Sequence, residues 1–69
     1  MNHYSMTIEW EPEDEVYVMS LPEWGPYAKT HGATYEEAVK NARDVLEMLI
    51  ASATERGKPL PPPRAYATA

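Results

Sequence analysis

The feature that most limits the fold of this chain is one long amphipathic segment between Thr34 and Gly57. Apolar side chains recur in it at helical spacing and form one stripe, made of Tyr35, Ala38, Val39, Ala42, Val45, Leu46, Leu49, Ile50 and Ala53. Thr34 is a suitable N-cap, Glu37 completes a capping box with it, and Gly57 is a typical helix stop. The pattern predicts a helix over residues 35–55, and the rest of the chain must cover its apolar face.

The predicted cover is a small antiparallel sheet. Residues 4–10 and 16–21 alternate apolar with polar side chains, as half-buried strands do, and this alternation places Trp10 in the core. The short connection between them makes the pair a hairpin. We expect a third strand around residues 27–31 and a final edge strand over 64–68, reached through a proline-rich return. The predicted fold class is α+β, in the order β-β-β-α-β, with one helix packed on one face of the sheet.

The chain is predicted to be a single domain over residues 1–69 that associates with itself. A domain of this length buries a small share of its surface, so its stability is marginal. The sequence contains no cysteine, which excludes disulfides and thiolate zinc sites. Contact with another subunit is the remaining way to stabilise so small a domain, and we expect a homo-oligomer, a dimer or tetramer. Tyr66, on the expected edge strand, is the candidate for pairing with another subunit.

Charge is distributed unevenly along the sequence. Residues 1–37 carry eight acidic residues and one lysine, a net charge of −7, whereas the remainder is slightly basic. This asymmetry favours a basic partner for the first half, although solubility alone also accounts for it. An acidic chain repels phosphate backbones, which disfavours DNA binding. No signal peptide and no membrane-spanning apolar run are seen, so we expect a cytoplasmic protein.

Candidate catalytic and metal-binding groups are few. The acidic residues 11–15 lack the ligand order and the glycine of an EF-hand loop. His31 would act as a base if Glu23 or Glu37 oriented it, but a loop histidine bonded to the backbone is the commoner case. Trp24, in a loop bounded by proline and glycine, is either an interface anchor or a local lid over the sheet. We therefore predict no catalytic residue, no metal site and no cofactor.

Four segments, in this order, resemble the N-terminal domain of the HicB family. They are Tyr-Ser-Met-Thr-Ile-Glu-Trp at 4–10, Val-Tyr-Val-Met-Ser-Leu-Pro-Glu at 16–23, Thr-His-Gly-Ala-Thr-Tyr-Glu-Glu-Ala at 30–38, and Glu-Arg-Gly-Lys-Pro-Leu-Pro-Pro-Pro at 55–63. The resemblance implies a partial ribonuclease-H-like fold. It also implies an antitoxin that binds a small basic HicA-type toxin and masks the active site with which that toxin cleaves messenger RNA.

The resemblance and the charge pattern together suggest which residues face the toxin: Glu11, Glu13, Asp14, Glu23 and Trp24. Full-length members continue into a DNA-binding domain, and the resemblance does not extend to one here, so we expect no operator binding. Two alternatives remain open. One is a stand-alone oligomeric HicB-like domain without a toxin. The other is a metal-dependent ribonuclease on the ribonuclease-H-like sheet, which is disfavoured because Glu9 is the one acid expected on a strand face.

Overall fold

The structure, a computed structural model that describes residues 2–67, contains three strands followed by one long helix. The strands are β1 (Thr7–Glu11), β2 (Val16–Ser20) and β3 (Lys29–Gly32), and the helix is α1 (Tyr35–Glu55). A short 3-10 turn, Pro22–Trp24, separates β2 from β3. The strands form one antiparallel sheet in the order β1-β2-β3, with the helix following it. The predicted α+β class and the β-β-β-α part of its order are confirmed.

The strand register determines which side chains face the helix. Ile8 lies opposite Met19 and Trp10 opposite Tyr17, so these four side chains share one face of the sheet. Met19 packs against the small helical residues Ala38 and Ala42, with Ile8 and Tyr17 bordering this contact. The helix therefore covers the face predicted from the alternation.

The core is small and depends on close approach of the helix to β3. Its buried side chains are Met19, Leu21, Ala38, Ala42 and Leu46. Gly32, at the end of β3, lies directly against the first turns of the helix. A Cβ atom at this position would lie 2.4 Å from the backbone nitrogen of Ala38. The glycine and the two alanines thus bring the helix backbone near the sheet.

Both ends of α1 are capped as the sequence predicts. The Oγ1 atom of Thr34 accepts the backbone N–H of Glu37 at 3.1 Å, and the Glu37 carboxylate accepts that of Ala33 at 3.2 Å. At the other end Gly57 adopts a left-handed conformation (φ 65°), and the N–H of Lys58 donates to the carbonyl of Ala53 at 2.9 Å. The predicted helix bounds are confirmed.

The prediction that Trp10 lies in the core is wrong. Its side chain is on the helix face, but 51% of its surface is exposed. The reason is the position of α1, which packs mainly on β3 and β2 and leaves the end of β1 uncovered. Alternation identifies the face of a strand that points toward the helix, and it does not say how far the helix extends over that face.

The predicted fourth strand is absent from residues 64–67, and Thr68 lies outside the described residues. The tail does return to the sheet side of the molecule, but single hydrogen bonds hold it there. The hydroxyl of Tyr4 donates to the carbonyl of Pro61 at 2.6 Å, and the N–H of Arg64 donates to the Glu23 carboxylate at 2.8 Å. Glu23 therefore takes up the N–H of the first residue of the predicted strand, which is no longer available for a strand ladder.

Candidate partner-binding surface

The acidic connection between β1 and β2 is a tight turn that presents carboxylates to solvent. Residues 12–15 form the turn, and Glu11 and Val16 are the paired residues at its base. The Oε1 atom of Glu11 accepts the backbone N–H of Glu13 at 2.7 Å, which orders the turn from within. Glu13 and Asp14 are exposed. Three of the predicted toxin-facing residues, Glu11, Glu13 and Asp14, therefore lie together, and we call residues 11–15 the acidic turn.

Glu23 lies at the other end of β2, where its carboxylate binds backbone groups of the same chain. It accepts the N–H of Ser5, at 3.0 Å for the nearer oxygen, and the N–H of Arg64 at 2.8 Å. Burial alone would raise the pKa of Glu23, but these N–H donors outweigh it and the pKa lies below its usual value. The side chain thus ties the N-terminal segment and the tail to the 3-10 turn.

Trp24 is half-buried and packs within the domain. Its ring meets that of Tyr4 edge-on, with the two centroids 5.3 Å apart. Its Nε1 atom is buried and has no hydrogen-bond acceptor within residues 2–67. Trp24 thus packs on the N-terminal segment, and its role as an interface anchor or a lid over the sheet stays a prediction.

The predicted residues therefore form two groups at opposite ends of β2. A five-residue strand separates the acidic turn from Glu23 and Trp24, a span of about 17 Å. Tyr66, the residue predicted for self-association, lies in the tail with 92% of its surface exposed and belongs to no strand.

The carboxylates considered as partners of His31 are hydrogen-bonded to backbone groups of other residues. His31 is exposed in β3, and its backbone carbonyl accepts the Nδ2 group of Asn41 at 2.8 Å. The carboxylate of Glu37 is bonded to the N–H of Ala33, and that of Glu23 is bonded to Ser5 and Arg64. Asn41 thereby covers part of the outer edge of β3.

An exposed aromatic cluster that the sequence did not predict lies beside the acidic turn. The Trp10 and Tyr17 rings meet edge-on with centroids 5.0 Å apart, and the Tyr17 and Tyr35 rings lie 4.5 Å apart. Tyr17 is half-buried between its neighbours, whereas Trp10 and Tyr35 are 51% and 55% exposed. We call these three residues the aromatic cluster. The placement of Trp10 opposite Tyr17 in a hairpin was the only sequence signal that pointed to it.

The described residues contain neither a metal-binding cluster nor a membrane-spanning helix. Within residues 2–67, no three histidine, aspartate or glutamate side chains come together as a metal site would require. None of the helices in this range is long and apolar enough to cross a membrane. No protein-family model, curated protein or solved structure matches the chain.

Proposed function

We propose that this chain is a non-enzymatic, cytoplasmic antitoxin domain that binds and masks a small basic, HicA-type toxin that cleaves messenger RNA. The observation that carries the proposal is the acidic turn, an ordered hairpin tip with exposed carboxylates in the strongly acidic half of the chain. The four segments that resemble the HicB family give the partner its identity.

The chemistry of the partner explains why an acidic surface would mask it. A protein that cleaves RNA binds the phosphate backbone through lysine and arginine side chains. Carboxylates at the tip of a rigid hairpin can occupy the same cationic groups and exclude the RNA. Opposite charges also speed the encounter and fix its orientation. The turn is suited to this because the hydrogen bond from Glu13 to Glu11 holds it in one conformation.

Self-association is the second part of the proposal. The buried side chains of the described residues number five, which is a small core. β1 is an edge strand whose outer side pairs with no other strand within residues 2–67. An unpaired edge is a template for a strand from another subunit. Sedimentation equilibrium should show dimers or tetramers at micromolar concentration, and a stable folded monomer would contradict this part.

Co-expression tests the proposal directly. The partner to use is the small basic chain encoded beside this one, produced from an inducible promoter. We expect it to arrest growth alone, to be neutralised by co-expression of this protein, and to co-purify with it. Failure both to form a complex and to relieve the arrest would reject the antitoxin function.

Two charge-reversed variants distinguish a specific role of the acidic turn from an effect of the net charge of the protein. The variant Glu13→Lys/Asp14→Lys should weaken binding of the toxin about tenfold or more, with a smaller loss at high salt. The control, Glu9→Lys/Glu55→Lys, makes the same charge change at exposed positions outside the acidic turn. Titration calorimetry at two salt concentrations measures both. Equal losses in the two variants would show that the turn has no special role.

A further inference from the structure

The aromatic cluster is a rigid apolar surface that the fold leaves uncovered. Tyr17 holds the cluster in place because it packs against the core formed by Met19, Ala38 and Ala42. The rings of Trp10 and Tyr35 both contact the ring of Tyr17, and about half of the surface of each is exposed to solvent. Aromatic side chains fixed in this way lose little conformational entropy on binding, and contiguous exposed patches of them mark interaction sites.

Carboxylates lie on neighbouring residues at both ends of the aromatic cluster. The acidic turn begins directly after Trp10 in the chain, and Glu36 follows Tyr35. Glu36 also lines, with Tyr35, an open hollow of about 460 Å³ along the helix. The same hollow is lined by Lys40, which is paired with Asp44 at 3.1 Å, and by Arg43 and Glu47. Three carboxylates against two cations line the hollow, and the acidic turn adds further carboxylates near Trp10, so the net formal charge near the rings is negative.

This negative charge determines which kind of partner the aromatic cluster can bind. A second copy seated on the aromatic cluster through the same surface would place its acidic turn against this one, and like charges at an interface are unfavourable. A purely apolar partner would remove water from the nearby carboxylates without replacing their hydrogen bonds. A cationic side chain is attracted to the faces of the rings and can also donate hydrogen bonds to the carboxylates.

We infer that the aromatic cluster anchors an arginine side chain of a basic partner, stacked on the exposed ring of Trp10 while its N–H groups donate to carboxylates of neighbouring residues. A guanidinium can do both at once because it is planar, is attracted to the faces of aromatic rings, and carries its donors in that plane. Lysine offers a compact charge that does not stack in this way. The inference rests on the proposed function for the identity of the partner, and it adds the anchoring site and the residue that this site selects.

Short peptides test the site without the toxin. Three fluorescently labelled nonapeptides, identical except for three positions that carry arginine, lysine or the uncharged citrulline, are titrated with the protein by anisotropy. The arginine peptide should bind about two- to five-fold more tightly than the lysine peptide. The citrulline peptide should bind most weakly of the three. Equal affinity for the arginine and lysine peptides would overturn the inference.

Substitutions then test whether the preference for arginine over lysine depends on the aromatic cluster. Trp10→Leu should abolish the preference for arginine over lysine while leaving the charge-driven binding of both peptides. The matched control is Tyr27→Leu, since Tyr27 is 94% exposed and lies outside the aromatic cluster. Tyr35→Leu is a second variant, and circular dichroism verifies that each protein is folded. A preference that survives in both cluster variants, or that is lost equally in the control, contradicts the inference.

Two further outcomes separate this site from the antitoxin function. If the peptides show the preference but the neighbouring toxin is not neutralised, the arginine site stands and the antitoxin function fails. If Trp10→Leu and Tyr35→Leu both neutralise the toxin as well as the unchanged protein does, the site fails and the function stands. Sedimentation of the same variants tests for a second copy as occupant. A dimer that dissociates only when the cluster is altered would overturn the inference.

Discussion

The helix meets the two edges of the sheet in opposite ways. On the β3 side, Gly32 and Ala38 bring two backbones together, and Asn41 bonds to the strand itself. On the β1 side, the large rings of Trp10 and Tyr35 remain half in solvent. Small residues thus build the packed side, and large aromatic residues occupy the open side. The difference separates the part of the molecule that stabilises the fold from the part that is placed to bind.

The largest effect should come from the packed side. Met19→Ala removes a buried side chain that contacts Ala38 and Ala42, and it should lower the free energy of unfolding by about 2–5 kcal/mol. Trp10→Leu, on the open side, should cost less than about 1 kcal/mol, because half of the ring is already in water. Urea unfolding followed by circular dichroism measures both. Similar losses would show that the open side also supports the fold.

The next effect tests how closely the helix and β3 approach. In Gly32→Ala the new methyl group meets the backbone of Ala38, which cannot rotate away, so we expect a loss of about 1–3 kcal/mol. Gly57→Ala is the comparison, because a Cβ there meets nothing within 4 Å and the strain comes from a φ of 65° alone. Its cost should be about 1 kcal/mol, and Gly57→Asn should recover part of it. A smaller loss at Gly32 than at Gly57 would mean that the helix can move away from the strand.

A smaller and pH-dependent effect is expected at Glu23. Replacing it with glutamine keeps one acceptor but removes the charge that Ser5 and Arg64 donate to, at a cost of about 1 kcal/mol at pH 7. The pKa of Glu23 is lowered in the folded protein, so its stabilisation is complete at neutral pH and is lost as the pH falls through that lowered pKa. The unchanged protein and Glu23→Gln should therefore converge in stability at acidic pH. A difference that is constant from pH 7 to pH 3 would contradict this assignment.

The smallest effect concerns the acidic turn. Glu15 has a φ of 54°, in the left-handed region that asparagine tolerates better than glutamate. Glu15→Asn should raise the free energy of unfolding by up to about 1 kcal/mol relative to Glu15→Gln, which removes the same charge without favouring that conformation. Thermal unfolding of the two variants is the measurement. Equal stabilities would indicate that the turn relaxes in solution.

Local patterns predicted most of the fold. The helix could be placed over 35–55 because its apolar spacing, its N-cap Thr34 and its stop Gly57 each depend on residues within about one turn. The hairpin followed in the same way from alternation and a short connection. The expected fourth strand was not found over residues 64–67, because the tail is fixed by hydrogen bonds from Tyr4 and Arg64 rather than by pairing.

The candidate site was harder to predict because its geometry depends on distant partners. The sequence places Glu23 among the acidic residues, but its hydrogen bonds come from Ser5 and Arg64, which are far from it in the chain. The aromatic cluster requires Tyr35 to meet Tyr17, and this contact follows from where the helix packs on the sheet. No local pattern contains that information. The acidic turn could be identified because its residues are consecutive.

The hydrogen bonds at Glu23 also bear on how the chain can be rearranged. The backbone nitrogens of Ser5 and Arg64 lie no more than about 6 Å apart, since both donate to the same Oε2 atom at 3.0 Å and 2.8 Å. The two ends of the domain therefore leave it at one place, remote from the acidic turn. A short linker could join them, and a new opening at the exposed Gly25 would give a circular permutant. A fusion protein attached directly before Ser5 or directly after Arg64 would project from that same place and leave the acidic turn accessible.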